Sequence, residues 1–206
     1  MSESNGFGKY DIYAVSKSVY CYADSTVLRN KLKIRNTAEL RAVETDISLL
    51  RQYEMLENPV LGYFTQTHLC RIHRYLLGDI YPFAGHFRKE DIAKGNTRFL
   101  SYKEVKEKLS ILLHELREEK FLSGLNRSEF CKRSAYYMAE LNYIHPFREG
   151  NGRTIREFMR QLFQRNGYSI DWGIVKTDEL MQAMIDSVFD AKSLEKTLCL
   201  CLKTND

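Results

Sequence analysis

The sequence predicts an all-α domain, a helical bundle that carries one β-hairpin. Helix breakers are scarce, since 206 residues hold 3 Pro and 11 Gly, which disfavours a loop-rich or all-β architecture. Apolar residues recur at helical spacing through most of the chain after residue 36. One turn signal, Lys94-Gly95-Asn96, separates two short stretches, 88–92 and 97–100, and reads as a hairpin. A chain of this length buries roughly 70% of the surface it exposes unfolded, enough for one sizeable core.

The elements follow in order. The first 35 residues show no periodicity and read as an arm draped on the body, with Tyr10, Tyr13, Tyr20 and Tyr22 among polar neighbours. Thr37 is placed to cap a helix in which Leu40, Val43, Ile47 and Leu50 share a face. A second helix covers 65–77 and stops at Gly78. After the hairpin, a charged helix over 103–120 buries Val105, Leu109, Leu112 and Leu116 and turns its mixed charges to solvent. A helix over 128–144 presents Phe130, Tyr137, Leu141 and Ile144 on one side, until Pro146 and the Gly150/Gly152 pair break it. Another runs over 151–165 and ends at Gly167, and a last helical region spans 177–202. Trp172 and the tyrosines are expected to fill the core. With no repeat and no linker, the chain divides into an arm (1–35), a core (36–175) and a helical extension packed on that core (176–206).

Composition excludes several classes. The +4 net charge is too small to indicate nucleic-acid binding. No apolar run approaches the ~18–20 residues of a membrane span, and the polar start Met1-Ser2-Glu3-Ser4-Asn5 is no secretory signal. A cytoplasmic protein without a membrane partner is expected. The 5 cysteines are scattered, odd in number and free of CxxC spacing, which reads as free thiols in a reducing compartment. Cys199 and Cys201 read as packing residues. His68 and His73 have the wrong spacing for shared metal ligation, and with His86 and His114 they read as ordinary surface or half-buried histidines.

Chemistry concentrates in HPFREGNGRTIR, residues 145–156, which joins two helices. The second helix buries Ile155, Phe158, Met159, Leu162 and Phe163, and Arg153, Arg156 and Arg160 occupy another face. Side chains lean toward a helix N-terminus, so Arg153 and Arg156 lean toward the loop. Gly150-Asn151-Gly152 lets backbone N–H groups approach a ligand, and free N–H groups at the positive end of a helix dipole bind anions. Arginines suit phosphate oxygens. Glu149 adjoins this nest, and Mg²⁺ is commonly held by one or two carboxylates plus phosphates. His145, with an ordinary pKa of about 6.5, can take a proton from a hydroxyl. Base, metal carboxylate, phosphate nest and arginines together point to phosphoryl or nucleotidyl transfer.

The same segment resembles the Fic motif, His-x-Phe-x-(Asp/Glu)-Gly-Asn-Gly-Arg-x-x-Arg, at every fixed position. VLRNKLKI (27–34), DIYPFAG (79–85) and GYSIDW (167–172) look like flanking landmarks of the bacterial toxin branch, so the likeness covers about residues 20–175. The resemblance implies a Fic fold with the hairpin as a flap over the active site. It implies a protein adenylyltransferase that moves AMP from ATP to a target hydroxyl. His145 would be the general base and Glu149 the Mg²⁺ ligand. Gly150, Asn151 and Gly152 would hold phosphates, with Arg153 and Arg156 on the outer ones, and Phe147 would anchor the loop. Lys94, Gly95 and Asn96 would clamp the target segment by β-augmentation. Kinase-like relatives carry lysine in place of the second glycine, and Gly152 therefore favours AMP transfer.

Fic enzymes are commonly silenced by a helix bearing (Ser/Thr)-x-x-x-Glu-(Gly/Asn), whose glutamate pairs with the second motif arginine, here Arg156. No Ser or Thr of this sequence is followed four residues later by Glu: Thr37 leads to Arg41, Ser187 to Ala191 and Ser193 to Thr197. The resemblance then implies a separate antitoxin chain that supplies the helix, and gyrase or topoisomerase IV as the target of a growth-arresting toxin. Three alternatives stay open: transfer of another nucleotide or of a phosphoryl group, a host-directed effector, and a non-catalytic binding module.

Overall fold

Asn36 opens the first helix. Its side-chain oxygen accepts hydrogen bonds from the N–H groups of Ala38 and Glu39, so Asn36, not Thr37, is the cap, and Thr37 is the first helical residue. The architecture comes from a computed structural model that describes residues 18–94 and 97–204. Helix α1 (Thr37–Glu57) buries Leu40, Ser48 and Met55. The expected apolar stripe ends early, because Leu50 is 56% exposed. The inner face is set instead by Glu44 and Ser48, which reach the loop of the functional motif.

Helix α2 (Gln66–Leu77) starts at the Thr65 cap and ends at Gly78, as its spacing predicts. The hairpin is shorter than expected: β1 (Ala93–Lys94) pairs with β2 (Thr97–Arg98) antiparallel, with Ala93 opposite Arg98. Residues 88–92 lie outside the ladder because the Arg88 side chain turns inward, 2% exposed, to bond backbone carbonyls. Gly95 and Asn96 lie outside the described residues, as do Tyr10 and Tyr13 of the arm.

Helix α3 (Val105–Glu118) buries its predicted leucine stripe. Helices α4 (Arg127–Ile144) and α5 (Asn151–Arg165) form the centre of the bundle. Phe130, Tyr137, Leu141 and Ile144 of α4, and Ile155, Phe158, Met159, Leu162 and Phe163 of α5, are all at most 2% exposed. Burying each such side chain contributes about 1.5–3 kcal/mol. The motif loop therefore hangs between the two best-anchored helices. The ordinary glycine position after α5 is Gly167, at φ 77°.

The C-terminal region departs from a single helix. It divides into α6 (Thr177–Asp186) and α7 (Lys192–Cys201), and the chain then forms β4 (Leu202–Thr204), antiparallel to β3 (Tyr168–Ile170). Two residues per strand face would not announce themselves by periodicity. Trp172 begins a short 3₁₀ turn after β3 and packs half-buried against the core. Tyr20, Tyr81 and Tyr137 are core residues, whereas Tyr53 and Tyr63 are exposed. Helix α7 lies along α4 and brings Cys199 to Cys131, Cα atoms 5.5 Å apart, as a disulfide. The reading of all five cysteines as free thiols is corrected here: Cys21, Cys70 and Cys201 are free. A separation of 68 residues carries no pairing signal in a sequence.

That link closes a long loop, so reducing agent is expected to lower unfolding free energy by about 2–4 kcal/mol. Denaturant titration with and without dithiothreitol reads this directly, and Cys199→Ala should abolish the difference.

Candidate active site

Helix α4 ends on a residue that few helices tolerate there. His145 is its C-cap in the left-handed region, φ 46° and ψ 62°, a conformation that costs a non-glycine residue of order 1–3 kcal/mol. The turn throws Phe147 into the core, 0% exposed, as the loop anchor expected of it. Asn151 then clasps the loop: Phe147 N donates to its Oδ1 at 2.8 Å and its Nδ2 donates to the Phe147 carbonyl at 2.7 Å. The expectation that Asn151 belongs to a phosphate nest narrows to its backbone in this geometry. Its amide is spent on the loop, and what it offers a ligand is its backbone N–H.

Gly150 caps α5 at φ 76°. A Cβ there would lie 2.2 Å from Leu77 Cδ1, so glycine is required for packing as well as for conformation. At Gly152 a Cβ would meet only Arg156 Nη1, at 3.4 Å, which is ordinary contact. The first helical bond of α5 runs from Thr154 N to the Gly150 carbonyl. The N–H groups of Asn151, Gly152 and Arg153 precede it and have no acceptor within the helix. Together they form the positive end of α5, aimed at whatever enters the loop.

His145 is 6% exposed. Its Nδ1 lies 2.9 Å from the Asn142 carbonyl; a carbonyl only accepts, so Nδ1 carries the proton and Nε2 keeps its lone pair. Phe99, from the flap, stacks on the ring at 3.7 Å. Burial, and after it the positive charges of Arg88 and Lys94, push the imidazole pKa down to about 3. The ordinary value assumed from sequence is therefore corrected: the ring is neutral across the physiological range, which is the form a general base needs.

The acids and arginines form a second cluster. Burial raises the Glu149 carboxyl pKa, and the neighbouring Glu44 carboxylate adds to the rise. Glu149 Oε1 accepts from Gly150 N at 3.0 Å. A carboxylate so placed, with a second acid near it and a phosphate nest beside it, is a donor set that a divalent cation would neutralise, and the residues fit Mg²⁺. Arg153 does not point free into the loop: it pairs with Glu44, and its Nη1 donates to Ser48 Oγ at 2.6 Å. Tyr81 hydroxyl also donates to Glu44. Arg156 makes no hydrogen bond or ion pair with any described residue, and burial together with the charge of Arg153 depresses its pKa. An anion would relieve both.

The sequence reading missed the supports of this loop. His73 is not a surface histidine but 0% exposed. It stacks on Phe147 at 3.8 Å, accepts from Gly85 N at 2.7 Å and donates to the Glu149 carbonyl at 2.9 Å. His68, 2% exposed, bonds the Val60 carbonyl at 2.7 Å. Arg148 forms a buried pair with Glu90 at 3.0 Å, and Glu90 also accepts from Ser18 Oγ. Helical periodicity records none of these polar partners. Lys94 of the flap lies 4.0 Å from the Met181 sulfur of α6. Among the described residues no cluster of three or more metal-ligating side chains exists, and no described helix is long and apolar enough to cross a membrane.

The Fic/DOC family profile matches residues 63–163, from α2 through α5. A probable protein adenylyltransferase Fic from Salmonella typhimurium is 34% identical over 173 residues, 84% of this chain and 86% of that protein. The chain belongs to the Fic/DOC family. The protein adenylyltransferase VbhT from Bartonella schoenbuchensis is 39% identical over 90% of this chain, which spans 39% of that longer relative. Among solved structures, the N-terminal Fic domain of a VirB-translocated Bep effector from Bartonella quintana, with bound ADP, superposes with a TM-score of 0.84 at 25% identity, covering 91% of this chain and 95% of that one. This Fic-family chain thus has a mostly helical Fic fold with a small β-hairpin.

Two predictions follow from the loop. Gly150→Ala should fail to fold stably, whereas Gly152→Ala should keep or raise the melting temperature, since alanine is favoured in a helix by roughly 0.5–1 kcal/mol. Calorimetry of ATP binding should find Gly152→Ala weakened all the same, because only a ligand needs that space. Burial, first of all, lowers the His73 pKa to about 4, so the unfolded chain takes up more protons between the two values. Stability should therefore fall as pH drops below about 6.5, with a slope of up to about 1.4 kcal/mol per unit from each such histidine. Urea midpoints at pH 7 and pH 5 test this, and His73→Gln should flatten the response.

Proposed function

We propose that this Fic-family chain is a protein adenylyltransferase using ATP. One observation carries the reading: a neutral imidazole that holds its proton on Nδ1 stands at the head of a loop that ends in three N–H groups with no acceptor in the helix and in Arg156, which pairs with no described residue. In the reaction His145 Nε2 takes the proton of a target hydroxyl as its oxygen bonds to the α-phosphorus of ATP. The bond from that phosphorus to the bridging oxygen breaks, and pyrophosphate leaves with its charge held by the α5 N-terminus, Arg156 and Arg153. Glu149 would hold Mg²⁺, which supplies charge neutralisation on the phosphates. The ADP bound in the Bartonella quintana domain supports nucleotide in this fold.

The flap is proposed to receive the target as an added strand, a docking role assigned to Lys94, Gly95 and Asn96. The Phe99–His145 stack supports this, because it sets the hairpin against the base. We assign the chain to the cytoplasm, as a growth-arresting toxin whose target is a subunit of gyrase or topoisomerase IV. A separate antitoxin is proposed to pair a glutamate with Arg156. The free guanidinium supports it, as does α1, which runs beside α5 and leaves Leu49, Tyr53 and Leu56 more than half exposed.

Purified chain incubated with ATP labelled at the α-phosphate and a bacterial lysate should label protein, with a mass gain of one AMP. His145→Ala should cut labelling by about 10²–10⁴-fold while retaining ATP binding. A gain of one phosphate in place of AMP, or unchanged labelling by His145→Ala, would overturn the reading.

A further inference from the structure

We propose that Arg88 is a positioning residue for the transfer reaction: its guanidinium locks the His145 turn to both roots of the flap. The inference rests on His145 acting as the proposed base. The end of α4 leaves carbonyls with no donor inside the helix. Four in a row are satisfied from the flap roots. Tyr143 O accepts from Leu100 N at 3.1 Å and Pro146 O from Arg88 N at 2.9 Å. Ile144 O accepts from Arg88 Nη2 at 3.3 Å and His145 O from Arg88 Nε at 2.9 Å. The same guanidinium reaches the entering flap root through the Glu90 carbonyl, at 2.9 Å, and the leaving root through the Leu100 carbonyl.

One planar group therefore ties three backbone segments together. Arginine suits the task, since its rigid fork offers five donors in one plane. Its charge also meets the negative end of the α4 dipole. Removing it would orphan buried carbonyls just where the backbone holds His145 left-handed. The charged groups facing the His145 ring are Arg88 and Lys94, with the Asn142 carbonyl on Nδ1 and Phe99 over the face. Phe99 immediately precedes Leu100, so a shift of that root moves the ring's stacking partner as well. Asp91 lies 3.6 Å from Arg88 Nη1 but is itself well exposed; the carbonyls are the closer partners.

The test needs no substrate in its first arm. Protein labelled with ¹⁵N-histidine gives ring-nitrogen spectra, with His145 assigned by its loss in His145→Asn. Wild type should show a single Nδ1–H tautomer. Arg88→Met should show mixed tautomers and a ring that titrates at higher pH. Arg88→Lys keeps the charge but not the fork, so it should mix tautomers while titrating lower than Arg88→Met. In the second arm, both variants should transfer labelled AMP into lysate protein about 10²-fold more slowly, with affinity for AMPPNP and magnesium changed less than about twofold, as expected for misplaced reacting groups. A folded Arg88→Met with the wild-type His145 spectrum overturns the proposal, and so does an equal loss of nucleotide binding and transfer. If Arg88→Met does not fold, a wild-type tautomer in Arg88→Lys overturns it. Failure of the wild type to transfer AMP would instead sink the proposed reaction, while the spectra still decide the role of Arg88.

Discussion

The loop between α4 and α5 works only if six residues of backbone stay where two helices put them. The clasp between Asn151 and the Phe147 peptide makes that possible. It closes the turn from inside with a donor and an acceptor at once, so no backbone group of Phe147 is left to find water. Phe147 is thereby driven under His73, and His73 in turn holds the Glu149 carbonyl. Gly150 has room for nothing beyond its backbone because Leu77 fills the space. Each of these contacts fixes an atom that the chemistry would use: the imidazole on one side, the orphan N–H groups on the other.

Electrostatic balance sets the second layer of organisation. Two acids and two arginines share one partly dry volume, and only Glu44 with Arg153 forms a pair. Glu149 is left with a raised pKa and Arg156 with a lowered one, each short of a counter-charge. Such a site is unfavourable by itself and becomes favourable with a polyanion and a cation together. Helix α1, otherwise lightly buried, is tied to the site by the Glu44 and Ser48 contacts.

Much of this was legible in the residues. The motif helices, the α2 caps at Thr65 and Gly78 and the stripes of α3, α4 and α5 follow from local sequence, apolar spacing and cap residues alike. The departures are non-local or polar. Nothing local in the sequence singles out Glu44, whose partner Arg153 lies on α5. Arg88 reads as part of a strand, and His73 as a stray histidine, because their acceptors are carbonyls far away in the chain. The spacing marks Asn151 as part of the nest but not the clasp its side chain makes with the Phe147 peptide. Cys131 and Cys199 meet only because α7 folds back along α4, and the turn that lets it do so divides what looked like one long helix.

The lone indole of the chain sits far from all of this chemistry. Trp172 packs at the corner where β3 gives way to the C-terminal helices, and His145 stands at the opposite end of the sequence's central hairpin of helices. Intrinsic fluorescence in this molecule is therefore a gauge of how the terminal helices seat, and an optical titration would register loosening at that corner rather than events at the nest.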